Sequence, residues 1–214
     1  MVNNKHLLSQ IVPGRVCGGL AKGDGDYFAW GETDPYYSSL DPLKWRSGKS
    51  EGYSWESYFD TFDGGASFYS YNKTDDGYKV LWPSWDAASS KWKGDTAGWR
   101  IPTAAEWDAL RDKDNCDWTW TYDYQGTGVH GFIVTSKVAG YEGNSIFLPA
   151  AGFFDMDYYL IDIWGEDYHA GYYWAANLWP LDDKCAFCIE FEPSAPILYY
   201  KGRCYGFPVR AVFE

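Results

Sequence analysis

"GWRIPTAAEWDAL", residues 98–110, decides the fold class, because it announces a helix start through local chemistry alone. Thr103 can accept a hydrogen bond from the first turn, and Glu106, three residues on, can reach back to complete a capping box. Trp107 and Leu110 then share one face of that helix. Upstream, "SWDAASSKW" (84–92) reads as a second helix, with Ser84 as its cap. Trp85, Ala88 and Trp92 recur there at helical spacing, and Pro83 and Gly94 mark its ends. Elsewhere 23 Gly and 10 Pro separate short aromatic or β-branched runs, the pattern of short strands in long loops. Strands are expected at 27–30, 118–122, 132–136, 145–148, 172–176, 185–191, 197–200 and 208–213. Residues 33–80 lack sustained periodicity but are rich in aromatics, so they read as an ordered loop excursion. Two early helices followed by strands to the end make an α+β arrangement.

With 214 residues, 46% of them hydrophobic, the chain can bury a real core as one domain spanning 1–214. A formal net charge of -12 repels phosphate backbones and anionic lipid, so nucleic acid and membrane surfaces are not expected partners. The start "MVNNKHLLSQIVPG" (1–14) has neither a basic leader with an apolar run nor a spanning segment, so no signal peptide and no direct membrane insertion are expected. Aromatic residues make up 21% of the chain, more Tyr and Trp than a core of this size can hide. Some must face solvent or a ligand, where they supply rigid contact area with a polar tip. Trp82, Trp85, Trp92, Trp99, Trp107, Trp118, Trp120 and Trp174 are expected in the framework core.

Five cysteines, Cys17, Cys116, Cys185, Cys188 and Cys204, argue against a disulfide-built scaffold. In "CAFC" (185–188) the strand-like surroundings do not supply the helix N-terminus that lowers a redox thiol's pKa. Three residues apart on a strand, Cys185 and Cys188 point to opposite faces, so one is expected in the core and the other at the surface. No paired spacing among the remaining Cys and His suggests zinc, and no metal or other cofactor is expected. Asp155, Asp157, Asp162, Glu166 and Asp167 form an acidic stretch that could offer oxygens to calcium but reads more simply as a solvated loop. His6, His130 and His169 are scattered, and no nucleophile elbow, phosphate loop or zinc-protease helix is present.

The blocks "GDYFAWGETDP" (25–35), "GYSWESY" (52–58), "WDAASSKW" (85–92), "GWRIPTAAEWDAL" (98–110), "NSIFLPAAG" (144–152), "GYYWAAN" (171–177) and "GFPVRAV" (206–212) together resemble the Fibrobacter succinogenes major paralogous domain family. Residues 1–24 depart from that pattern. The resemblance implies a C-type-lectin-like fold related to the formylglycine-generating enzymes: two helices packed on a small, mostly antiparallel sheet with long ordered loops. It also implies that late strands present a ligand face, at a cell surface, in the extracellular space or on a virion.

Some proteins of this fold class are variable proteins of diversity-generating retroelements, in which AAC codons become NNC. Within 153–205, Tyr158, Tyr159, Tyr168, His169, Leu181, Asp183, Cys185, Phe187, Leu198, Tyr199, Tyr200, Cys204 and Tyr205 are all compatible with such codons. Asp162, Asn177, Leu178 and Trp179 join them as expected contact residues. The expected function is thus non-enzymatic recognition of a protein or glycan by a monomer, through a variable aromatic and acidic surface. An oxidative enzyme using Cys185, Cys188 or Cys204, or a structural module of a surface assembly, are the alternatives.

Overall fold

The computed structural model describes residues 27–33, 69–73, 79–91, 98–154, 160–161 and 169–213. Over these the architecture is α+β, with two α-helices and mostly antiparallel sheets. The principal sheet has five strands in the order β1 (Tyr69–Lys73), β2 (Lys79–Leu81), β9 (Gly171–Leu178), β10 (Cys185–Glu192) and β11 (Ala195–Gly202). A three-stranded sheet joins β4 (Cys116–Thr121), β5 (Gly131–Ser136) and β6 (Ser145–Pro149). Two short pairs complete the set, β3 (Trp99–Arg100) with β12 (Val212–Phe213) and β7 (Phe153–Phe154) with β8 (Leu160–Ile161). Among the described residues no helix is long and apolar enough to cross a membrane.

Strand alternation sorts the core into two layers around β9 and β10. Tyr172, Trp174, Ala176, Ala186 and Cys188 face one cluster, with Tyr27–Trp30, Ala87, Ala88, Phe207 and Val209. Tyr173, Ala175, Phe187, Ile189 and Phe191 face the other, formed with Trp107, Leu110 and the three-stranded sheet. The N-terminal segment is tied to the C-terminal one by a two-way bridge, Phe28 N–H to the Phe207 carbonyl at 2.9 Å and Phe207 N–H to the Phe28 carbonyl at 3.0 Å. Among the described residues the 27–30 segment is held by this bridge and by Trp30 N–H donating to the Arg203 carbonyl at 2.8 Å, and 208–213 contributes the two residues of β12 as strand, less than the strands expected there.

The second helix, α2 (Ala104–Arg111), forms for the reason its sequence announces. Thr103 Oγ1 accepts from Glu106 N–H at 3.2 Å, and Thr103 N–H donates to the Glu106 carboxylate at 2.7 Å. Arg100 grips the same carboxylate in two-pronged fashion at 2.6 and 2.7 Å, linking β3 to the helix start. Burial alone would raise the Glu106 pKa; the Arg100 guanidinium and the Thr103 donors outweigh it and hold the carboxyl below its ordinary value.

The first helix, α1 (Ala87–Lys91), begins later than the sequence suggests. Pro83–Trp85 forms a separate 3-10 turn, so Ser84 cannot cap α1, and Asp86 does so instead. Its Oδ1 accepts from Ala88 and Ser89 N–H at 2.8 and 3.0 Å, and its Oδ2 from Ile101 N–H at 2.8 Å. Within the expected 33–80 loop, β1 and β2 are strands, because β2 finds a partner in β9 at Val80 and Asn177. Trp82 is 43% exposed rather than part of the core, since it leaves β2 just before Pro83. Trp92 lies outside the described residues.

Burial pushes the Asp86 carboxyl up from 3.8 to about 6, against the pull of those three backbone donors. The folded chain then binds a proton that the unfolded chain has already lost between these values. Stability from this group therefore falls as pH rises from about 4 to about 6, by at most about 3 kcal/mol, and is constant above. Urea unfolding at pH 4 and pH 7 should show wild type losing up to that amount relative to Asp86→Asn. An equal change in both proteins would contradict the assignment.

Candidate functional site

β10 and β11 form a hairpin in unbroken register from Cys185 with Gly202 to Glu192 with Ala195, closed by Pro193 and Ser194. β10 is buried between β9 and β11, whereas β11 has no strand on its outer side among the described residues. Along β11 exposure alternates: Ile197 and Tyr199 are 46% and 42% exposed, while Leu198 and Tyr200 are half-buried.

A loop returns from β9 beside this edge and is fixed by its own backbone. Trp179 N–H donates to the Cys185 carbonyl at 2.9 Å, Cys185 N–H to the Asp182 carbonyl at 3.0 Å, and Lys184 N–H to Asp182 Oδ1 at 2.9 Å. Such an Asp-anchored turn holds the loop without needing a core of its own. Leu181 at its tip is 83% exposed, and Asp183 is exposed beside it.

The Trp179 ring stands edge-on to buried Phe187, with centres 4.9 Å apart. It stacks on Tyr200 at 4.2 Å, and Tyr200 stacks on Tyr199 at 4.8 Å. Three rings thus run as a ladder from the core layer out over the sheet edge. Each such contact contributes about 0.5–1.5 kcal/mol beyond burial, so the outermost ring is held in place by the inner ones. Lys201 lies over Tyr199 at 5.4 Å and over Tyr172 at 5.5 Å. Its ammonium is 3.5 Å from Glu190, which also accepts from the Tyr172 hydroxyl at 3.2 Å. The arrangement can offer ring edges, phenol hydroxyls, an aliphatic tip and an acidic rim to another molecule.

The expected contact residues divide clearly. Trp179, Tyr199 and Tyr200 come together at this edge, Leu181 and Asp183 are exposed in the loop that follows Trp179, and Leu198 packs against the second core cluster. Cys185 is half-buried at the base of the loop. Asn177, Leu178, Phe187 and Cys204 are buried and do not present a contact surface. Asn177 serves the frame: its Oδ1 accepts from Ala104 N–H, the first residue of α2, at 2.6 Å. Leu178 and Cys204 fill the first core cluster, and Phe187 the second, because strand alternation turns them inward. Tyr205 is half-buried against Phe153 and Phe207 rather than in the stack. His169 sits before the opposite end of β9, against His130. Burial and the neighbouring His169 lower the His130 pKa, with Asp123 opposing. Tyr158, Tyr159, Asp162 and Tyr168 lie outside the described residues, as do Asp155, Asp157, Glu166 and Asp167.

Ile197, Lys201 and Glu190 belong to the edge and were missed, although Ile197, Tyr199 and Lys201 share one side of β11 by simple alternation. The "CAFC" thiols do separate as the odd spacing requires, Cys188 fully into the core and Cys185 to the margin. Burial, and secondarily Glu190, pushes the Cys188 thiol well above its ordinary value; burial and then the Asp182 carboxylate raise that of Cys185. Burial and two neighbouring aspartates push Cys116 to about 11.

No protein-family model, no curated protein and no solved structure matches the chain.

Alkylation of the native protein should therefore reach Cys185 first among Cys116, Cys185, Cys188 and Cys204, and slowly at neutral pH. Peptide mass mapping after iodoacetamide treatment checks this. Early labelling of Cys188 or Cys204 would contradict their placement.

Proposed function

We propose that the chain is a non-enzymatic recognition domain on a C-type-lectin-like scaffold of the Fibrobacter succinogenes major paralogous domain type. It binds a protein or glycan through the edge formed by Trp179, Tyr199, Tyr200, Leu181 and Asp183. The observation that carries this reading is the ring ladder that climbs from buried Phe187 to exposed Tyr199. A stack anchored in the core and open at its tip supplies preordered contact area, which reduces the entropy lost on binding.

Burial also limits which positions can vary. If the region is diversified by a retroelement, the tolerant positions among the described residues are His169, Leu181, Asp183, Cys185, Leu198, Tyr199, Tyr200 and Tyr205, because substitution at buried Phe187 or Cys204 disturbs the core. A near-identical template repeat in neighbouring DNA, differing only at adenines, is the genomic mark of that process. Oxidative chemistry at Cys185, Cys188 or Cys204 finds less support, since Cys185 and Cys188 are pushed toward the protonated thiol and Cys204 is buried. A permanent structural interface would show as a stable oligomer by light scattering.

Screening on glycan and cell-surface protein arrays, followed by affinity measurement with Tyr199→Ala and Leu181→Asp, tests the proposal. Each variant should weaken binding by about tenfold or more, roughly 1.4 kcal/mol, while remaining cooperatively folded. Undiminished affinity in both variants would contradict it.

A further inference from the structure

At the far end of β9 from the ring ladder, two histidines 39 residues apart meet with their Nδ1 atoms 3.0 Å from one another. His130 immediately precedes β5 and His169 lies two residues before β9, so the contact joins the starts of strands from different sheets. Their ring centres are 4.1 Å apart and their planes are inclined at 81°. A linear N–H···N bond would keep the centres roughly 5 Å apart, about 3 Å between nitrogens plus about 1 Å of ring at each end. The observed rings are closer than that, so the contact is bent. One Nδ1 donates and the other accepts according to tautomer, so an ion held by both nitrogens would replace this contact.

Two imidazole nitrogens this close can serve as adjacent ligands of one ion once both lone pairs are free. Imidazoles bound at about 2.0–2.1 Å to one ion stand about 3.0 Å apart at right angles and about 3.4 Å apart at the tetrahedral angle. The nitrogen separation is that of two adjacent ligands, whereas rings aimed at one ion would have centres about 4.7 Å apart, so the imidazoles, 4.1 Å apart, must swing outward by rotation about their side-chain bonds as the ion binds. Tyr122 closes one side, edge-on to both rings at 5.5 and 5.8 Å, and Trp120 stands 6.5 Å from His169. No Lys or Arg pairs with either imidazole among the described residues, Asp123 acts on His130 through space, and the chain's net charge is -12, so the local field favours a cation.

We propose that His130 and His169 form a two-imidazole site for a late first-row divalent cation, Zn²⁺, Ni²⁺ or Cu²⁺. Among the described residues no group of three or more His, Cys, Asp or Glu converges, so the ion keeps its other positions for water or for donor atoms of a bound molecule. Imidazole ligation selects these ions over Ca²⁺ and Mg²⁺, which require oxygen ligands. Tyr122, 58% exposed, places the open side of the site at the surface. The ion would link β5 to β9 and would be independent of the β11 edge.

The test is calorimetric titration of chelator-treated full-length chain with ZnCl₂ and NiCl₂, using CaCl₂ and MgCl₂ as controls. One equivalent of Zn²⁺ or Ni²⁺ should bind, and the unfolding temperature should rise with metal concentration. His130→Asn and His169→Asn should each abolish both effects, while His6→Asn should leave them intact. A readout on the wild type needs no variant: the metal should protect His130 and His169, and not His6, from diethyl pyrocarbonate. Absence of one-equivalent binding, equal binding by either asparagine variant, or protection only at His6 would overturn the proposal.

Discussion

The rest of the structure depends on the burial of β9, and most directly on Trp174 at its middle. All eight residues of that strand are buried, and Trp174 has no exposed surface. Its indole N–H donates to the Phe28 carbonyl at 2.7 Å and its ring stacks on Phe207 at 4.2 Å. Its own carbonyl accepts from the Trp107 indole at 3.2 Å. One residue thus binds the N-terminal segment, α2 and the C-terminal segment to the central strand. Neighbouring residues repeat the pattern: the Trp30 indole reaches the Ala175 carbonyl at 2.8 Å, and Ala176 N–H reaches the Pro102 carbonyl at 2.8 Å. A strand buried on both faces must find partners for its polar backbone, and here indoles and loop carbonyls supply what β2 does not.

That constraint explains why the sheet edge is free to differ. Both core layers close over β9 and β10, leaving β11 to contribute mainly one flank. Leu198 and Tyr200 attach the strand inward, and Ile197 and Tyr199 are left facing out. The ladder through Trp179 is then a continuation of the core rather than a loose surface patch. Tyr200 is flanked by a ring on either side, so the edge offers ring edges and hydroxyls more than open ring faces. Leu181, Asp182 and Asp183 of the preceding loop and Ile197 of β11 are exposed as well.

Much of the frame was legible in the sequence because its signals are local. Thr103 and Glu106 form the expected capping box, and β4, β5, β6, β9, β10 and β11 fall where the short aromatic or β-branched runs placed them, with every end within two residues of the expected one. The α1 start was misread because Ser84 and Asp86 are both capping residues, and only the 3-10 turn at Pro83–Trp85 decides between them. Asn177 looked like a contact residue, because its partner, the first N–H of α2, lies 73 residues away. The meeting of His130 with His169 has the same character, a consequence of topology that no spacing announces. Residue type alone places Trp82 in the core and does not distinguish a residue just past a strand's end from one in its interior.

The central claim is that frame and edge are energetically separate, so the edge can change without unfolding the chain. Chemical denaturation of two sets of single alanine variants tests this most directly: Trp174 and Phe187 in the frame, Leu181, Asp183 and Tyr199 at the edge. The account predicts losses of about 3–5 kcal/mol for the first set, changes within about 0.5 kcal/mol for Leu181 and Asp183, and about 1 kcal/mol for Tyr199, which gives up one stacked ring. Comparable losses in both sets would contradict it.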